Sequence, residues 1–87
     1  MDIVYVLSMH CLMDGDENKS VEVFNNLESA KKRMEVLYEN EVKEFNERSL
    51  PNGFVQYKTK TSVQIFEKYH YDINHSCIEI NEVKVKN

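Results

Sequence analysis

The chain has 87 residues, of which 41% are hydrophobic and 30% are charged. This composition predicts one globular domain over residues 1–87 and excludes a chain kept disordered by charge repulsion. A net charge of −4 argues against nucleic acid as a partner, because sequence-independent binding neutralises phosphates with Lys and Arg. No apolar run approaches the ~18 residues that cross a bilayer, so we expect no membrane association.

The first elements are two strands. Residues 3–9 are mostly β-branched or aromatic and apolar on both faces, which is typical of a strand in the middle of a sheet. The stretch has no basic region before it, unlike a secretory signal, so we expect a cytoplasmic protein. Residues 14–20 are rich in turn formers and predict an exposed loop, after which residues 21–24 complete a hairpin.

A long amphipathic helix follows. Asn25 and Asn26 can accept hydrogen bonds from the free amides of a helix start. Apolar residues then recur at three- and four-residue steps, which predicts a helix over about 26–48. The side chains expected to face the sheet are those of Ala30, Met34, Leu37 and Phe45.

The rest of the chain predicts β-structure. Residues 62–71 and 77–85 form a second hairpin, with a bulge near Asn81 where the apolar phase shifts. Residues 54–60 either extend the third strand or form a short extra strand. The order β-β-α-β-β predicts an α+β fold with an antiparallel or mixed four-stranded sheet and one long helix on one face. A right-handed crossover gives the strand order 2-1-3-4.

Two histidines and two cysteines raise the question of zinc. His10, Cys11, His75 and Cys77 could supply a tetrahedral ligand set. If the first and last strands run the same way, however, the two cysteines lie ~20 Å apart, which forbids shared coordination. Only an extra strand at 54–60 would reverse that relation. We therefore predict free thiols, no metal site and no cofactor.

The usual signs of catalysis are missing from the sequence. We find no nucleophile paired with a catalytic base and no pair of carboxylates in an apolar setting. Its two glycines, Gly15 and Gly53, cannot build a phosphate-binding loop. We predict a binding protein with no catalytic residues, and not an enzyme.

One face of the predicted sheet is left without a helix to cover it, which suggests where binding occurs. One helix covers one face of a sheet, but the first strand is also apolar at Val4 and Val6 on its other face. Phe24, Phe66, Val83 and Val85 are expected on that same side. A second copy in a homodimer, or another protein, could cover this face. The alternative is that polar neighbours dilute the patch enough for water to tolerate it.

Two further groups are candidate binding residues. The aromatic group combines large apolar area with polar tips, as interfaces do, although a core would use it equally well; it comprises Tyr57, Tyr69, His70 and Tyr71. The acidic group could meet a basic partner or could simply be a solvated helix face; it comprises Glu35, Glu39, Glu41, Glu44 and Glu47.

The chain resembles a broad class of proteins in general character. The resemblance is carried by the strand Ile3-Val4-Tyr5-Val6-Leu7, by the helix entry over residues 23–32 and by nine Lys against two Arg with abundant Asn. In these respects it is similar to small accessory proteins of phages and prophages in low-GC bacteria. The resemblance implies an inhibitor or modulator of a host protein, including anti-defence proteins. The alternative is a small-molecule or nucleotide sequestering protein with its pocket at a homo-oligomer interface.

Overall fold

A computed structural model describes residues 2–48, 50–70 and 73–86. They form one α-helix packed on a five-stranded antiparallel sheet, so the predicted α+β class with a single helix is confirmed. The strand order is β2-β1-β5-β4-β3. The elements in chain order are β1 (Asp2–Met13), β2 (Asp16–Phe24), α1 (Leu27–Glu47), β3 (Phe54–Lys58), β4 (Ser62–Glu67) and β5 (Asn74–Val85).

The prediction of four strands in the order 2-1-3-4 is wrong in part. Residues 54–58, left undecided by the sequence, form the separate edge strand β3, which pairs with β4 through partners such as Val55 and Phe66. This additional reversal makes β5 antiparallel to β1 and its direct neighbour. The last strand, and not the third predicted one, therefore lies beside the first.

The predicted loop over residues 14–20 is also wrong. The turn consists of Asp14 and Gly15, whose φ values of 52° and 89° are both positive, as a two-residue type I′ hairpin turn requires. β2 then begins at Asp16, and its residues 16–20 are all exposed. An edge strand of this kind needs no apolar side chains, so its polar sequence resembles a loop.

The predicted bulge near Asn81 does not occur. Pairing between β1 and β5 runs unbroken from Asp2 opposite Val85 to Met13 opposite Asn74. Ile80 is 6% exposed and belongs to the core, whereas Val83, three residues later on the opposite face, is 41% exposed. The apolar phase shifts because the C-terminal end of β5 carries its valines on the sheet face turned away from the helix, where they are exposed.

Helix α1 agrees closely with its prediction. The Asn26 side chain caps it by accepting a hydrogen bond from the Ser29 backbone amide at 2.8 Å. The negative charge of Glu28 in the first turn interacts favourably with the positive end of the helix dipole. Three of the four apolar positions predicted to face the sheet are fully buried, and Leu37 is partly buried against the core.

The hydrophobic core lies between α1 and one face of the sheet. Odd-numbered positions of β1 and even-numbered positions of β5 point toward the helix, because side chains alternate along a strand. The buried apolar cluster comprises Leu7, Ala30, Met34, Phe45, Val63, Ile65, Ile78 and Ile80. Within the described residues, the opposite face of the sheet carries no helix.

Candidate functional site

We call the sheet face turned away from α1 the open face. The strand register determines its residues, since directly paired positions share a face. Val83 and Phe66 lie on it as expected, but Phe24 does not: it pairs with Tyr5 and packs against the core. The open face includes Val4, Val6, Ser8, His10 and Leu12 of β1, Glu17, Lys19, Val21 and Val23 of β2, Val55 and Tyr57 of β3, Gln64 and Phe66 of β4, and His75, Cys77, Glu79, Val83 and Val85 of β5.

One end of the open face is a valine cluster, made of Val4, Val6, Val21, Val23, Val83 and Val85. Val21 and Val23 on the edge strand β2 are 65% and 61% exposed. Val4 and Val6 on β1 are half-buried between their neighbours. Exposed apolar area costs about 25 cal/mol per Å², so this end of the face gains free energy when it is covered.

The other end of the open face is a shallow cleft of about 450 Å³. In the register, His10 is opposite Cys77, and His75 precedes Cys77 by two residues on the same side. The rings of His10 and His75 meet edge to face, with 5.2 Å between their centroids. We call this the histidine cleft; its lining includes His10, Gln64, Phe66, His75 and Cys77.

Charged groups flank the cleft on the β2 side. Glu17 Oε1 lies 3.1 Å from Lys19 Nζ, and this hydrogen bond holds the pKa of Glu17 below its ordinary value of 4.5. The same oxygen lies 3.0 Å from His10 Nε2. That nitrogen is buried and makes no hydrogen bond of acceptable geometry, although Glu17 Oε1 is close to it.

The thiol in the cleft is not activated. Burial raises the pKa of Cys77 above its ordinary value of 9.0, and the negative charge of Glu79 raises it further. A nucleophilic cysteine requires the opposite shift, toward the thiolate at neutral pH. At neutral pH the side chain is therefore a protonated thiol.

The predicted separation of ~20 Å between Cys11 and Cys77, on which the exclusion of shared metal coordination was based, is wrong. Because β3 reverses the chain once more, β1 and β5 are antiparallel, and His10 and Cys77 are directly opposite each other. Cys11 lies on the covered face, so the four-residue set cannot gather. Both cysteines are free thiols. As the side chains stand, no three His, Cys, Asp or Glu within residues 2–48, 50–70 and 73–86 are arranged to hold a metal ion.

A buried polar cluster lies behind the sheet, under α1. The carboxylate of Glu41 accepts hydrogen bonds from Ser76 Oγ at 3.1 Å and from Cys11 Sγ at 3.3 Å. Burial raises the pKa of Cys11 to about 11, and the charge of Glu41 adds to that shift against a lowering hydrogen bond from Ser76. The cluster joins the helix to β1 and β5.

The prediction of an outer acidic stretch is therefore wrong at Glu41, which is only 7% exposed. The sequence did contain a signal for this. Glu41 stands four residues after Leu37 and four before Phe45, within the apolar stripe of the helix.

The predicted binding residues divide among separate surfaces. Val4, Val6 and Tyr57 lie on the open face, and the Tyr57 ring stands 5.9 Å from that of Phe66. Tyr69 is 74% exposed with a positive φ of 71°, in the turn between β4 and β5.

The remaining predicted residues that the structure describes lie away from the open face. His70 is exposed in the same turn as Tyr69, and Tyr71 lies outside the described residues. Glu35 of α1 forms an ion pair with Lys58, and Glu39 is exposed on the helix. Tyr57 thus shares the open face with the valines, whereas Tyr69, His70 and the acidic residues of the helix do not.

Comparison with known proteins identifies no relative. Among the residues that the structure describes, no helix has the length and apolar character needed to cross a membrane. No protein-family model matches the chain, and no curated protein or solved structure matches it at a significant level.

Proposed function

We propose that this protein acts by binding another protein through its open face, and that it is not an enzyme. The observation that carries the proposal is the exposure of Val21 and Val23 beside other valines on a sheet face that no helix of the described chain covers. Contiguous exposed apolar area rimmed by polar residues is characteristic of protein interaction surfaces.

The open face has the size and composition of such a surface. Five strands at ~4.8 Å spacing and up to 12 residues long span on the order of 20 by 35 Å, which is about the 800 Å² that each partner buries in a standard interface. Valines occupy one end of the face and the aromatic rings of Tyr57 and Phe66 the other, and polar residues such as Glu79 on the central strand β5 lie between them. Interfaces combine apolar area with aromatic and polar side chains in this way.

The chemistry of the described side chains favours binding over catalysis. Both thiols have raised pKa values, and the buried carboxylate of Glu41 lies beneath the helix, bonded to its neighbours. The resemblance in composition to phage accessory proteins favours a cytoplasmic host protein as the partner, which this chain would inhibit or modulate, as anti-defence proteins do. The alternative partner in this proposal is a second copy of the chain, bound through the same face to form a homodimer.

The proposal is tested by affinity capture with a matched pair of charge variants. Val23→Lys places a charge on the open face at a position exposed enough to leave the free chain folded, and Glu39→Lys places the same charge on the helix. We expect the wild type and Glu39→Lys to capture the same protein from a lysate of the encoding organism, and Val23→Lys to lose at least about tenfold of it. Equal capture by all three would contradict the proposal.

The histidine cleft supports a second candidate function, the sequestering of a small molecule. Its volume of about 450 Å³ falls within the range of ligand sites, and its lining combines aromatic rings with the Gln64 amide. A second copy over the open face would close it, as a pocket at a homo-oligomer interface requires. The two candidates separate in one measurement: sequestering predicts a small molecule that co-purifies with the wild type and is lost in Phe66→Ser, which changes the lining of the cleft, whereas protein binding predicts a captured protein and no co-purified small molecule.

A further inference from the structure

We infer that the histidine cleft is the anchor site for an aromatic side chain, tryptophan or tyrosine, of the protein that binds the open face. The inference rests on the proposed protein-binding function and names the chemistry that the face recognises. Its basis is the arrangement of aromatic rings around a small, uncharged floor at one end of the face.

The strand register builds the cleft from two neighbouring rows of side chains. Paired positions stand side by side across the strands, so His10, Cys77 and Gln64 form one row. His75 and Phe66 are direct partners in the next row. Cys77 has the smallest side chain of these residues and lies between larger ones, so it forms the floor of the cleft.

Aromatic rings stand on both sides of that floor. On the β1 side, the rings of His10 and His75 meet edge to face, with their centroids 5.2 Å apart. On the β3 side, Phe66 lines the cleft and the Tyr57 ring supports it from behind, 5.9 Å away with 30° between the ring planes. Aromatic rings attract one another in edge-to-face and offset contacts at about these separations, so the walls favour a planar ring over an aliphatic group of the same size.

The lining favours a neutral group over a charged one. Among the described residues, those that line the cleft include no Asp, Glu, Lys or Arg. Burial raises the pKa of Cys77 above its ordinary value of 9.0, so the thiol stays protonated at neutral pH and acts as a small apolar surface. The flanking charges of Glu17 and Lys19 pair with each other. A charged side chain of a partner would therefore lose its water without gaining an ion pair in the lining.

The Gln64 amide gives the cleft a polar contact at its edge. Its side chain is exposed and hydrogen-bonded with the Cys77 thiol, and an amide has two N–H donors and a carbonyl acceptor. The indole N–H of tryptophan and the O–H of tyrosine usually find a hydrogen-bond partner when their rings are buried. The Gln64 carbonyl oxygen can accept that bond, which favours these two side chains over phenylalanine.

The shape of the cleft favours a side chain of a protein over a free small molecule. The cleft holds about 450 Å³, but it is shallow and lies on an exposed sheet face. Small-molecule sites usually bury about 70–90% of their ligand. A shallow cleft leaves the outer side of a free ring in water, whereas a protein docked on the open face covers that side with its own surface. Tryptophan and tyrosine seated in such pockets contribute much of the affinity of protein interfaces.

The test is a titration of the full-length chain with phenol and indole, the ring groups of tyrosine and tryptophan, followed by nuclear magnetic resonance of the isotope-labelled chain. Cyclohexanol is the matched control ligand, because it has the size and hydroxyl group of phenol without the aromatic ring. We expect phenol and indole to bind at one site with dissociation constants on the order of 1 mM and to shift the resonances of His10, Phe66 and Cys77. Cyclohexanol should bind at least about threefold more weakly than phenol.

Two variants change the cleft and a third leaves it intact. Cys77→Leu fills the floor, and Phe66→Leu keeps an apolar wall without its ring; both positions are half-buried and outside the core cluster. We expect phenol binding to weaken at least about tenfold in Cys77→Leu and about threefold in Phe66→Leu. Val23→Lys, at the valine end of the face, should bind phenol as the wild type does. Circular dichroism on each variant confirms that it is folded.

Affinity capture with the same variants separates this inference from the proposed function. Cys77→Leu should lose the protein that the wild type captures, as Val23→Lys does. Capture that is lost in Val23→Lys but kept in Cys77→Leu would support the protein-binding function and overturn the anchor site. Equal binding of phenol and cyclohexanol, or unchanged phenol binding by a folded Cys77→Leu, would also overturn it. Phenol binding without capture of any protein would contradict the proposed function and overturn the assignment to a side chain of a partner.

Discussion

Glu41 is an acidic residue placed inside the hydrophobic stripe of its helix. Burying a carboxylate is costly unless hydrogen bonds satisfy it, and Ser76 and Cys11 each donate one. These donors come from two neighbouring strands, β5 and β1. The cluster therefore fixes the position of the helix above the centre of the sheet, where apolar contacts alone would tolerate small shifts.

Cys11 should make stability depend on pH in alkaline solution. Burial raises its pKa from 9.0 to about 11, so the folded state holds its proton more tightly than the unfolded state. The unfolded state loses that proton first as pH rises, which lowers the free energy of unfolding between about pH 9 and 11. We expect the melting temperature of the wild type to fall more steeply over this range than that of Cys11→Ser. Identical slopes would contradict the burial assigned to this thiol.

At the scale of the element, α1 could be predicted from the sequence, whereas the edge strands could be predicted only in part: residues 21–24 of β2 were predicted as a strand, and β3 was left undecided. The apolar period of the helix and the cap at Asn26 are local signals that tertiary structure did not override. Residues 16–20 of β2 and most of β3 are exposed at the edges of the sheet, so neither segment shows the alternation on which strand prediction depends. The Asp14-Gly15 turn was a usable hairpin signal within the segment interpreted as a loop.

The candidate site depended on those weaker elements. Whether His10 meets Cys77 depends on the direction of β5, and that direction depends on whether β3 exists. One undecided segment, residues 54–60, therefore determined which side chains share a face. The apolar pattern of β1 still predicted correctly that Val4 and Val6 lie on the face opposite Tyr5 and Leu7.

The packing of α1 gives a prediction with a matched control. Met34 is 2% exposed against the core, so Met34→Asp buries a charge with no partner and should cost several kcal/mol, enough to unfold a small domain. Glu39 is exposed on the same helix, and Glu39→Ala should change stability by less than about 0.5 kcal/mol. Thermal melts followed by circular dichroism measure both. Equal stability of the two variants would contradict the assigned helix face.

The whole molecule is elongated and covered on one side. Its radius of gyration is 14.2 Å, whereas a compact chain of this length is expected to have about 12 Å. β1 and β5 account for the elongation. These two 12-residue strands pair with each other along their whole length, and one end of the pair extends beyond the residues that pair with β2 or β4. The valine cluster lies toward that extended end, with Ile3 41% exposed on the other side of β1. An extended, partly apolar end is well suited to contact with a partner.

Photo-crosslinking tests most directly whether the open face is the binding surface. A photoreactive amino acid replaces Val21, which is 65% exposed on the open face, or Glu39, which is exposed on the helix. After irradiation in the encoding organism, we expect one covalent adduct of defined mass from position 21 and none from position 39. An adduct between two copies of the chain would identify the homodimer as the form of the interaction. Adducts from position 39 alone, or none from position 21, would show that the open face is not the binding surface.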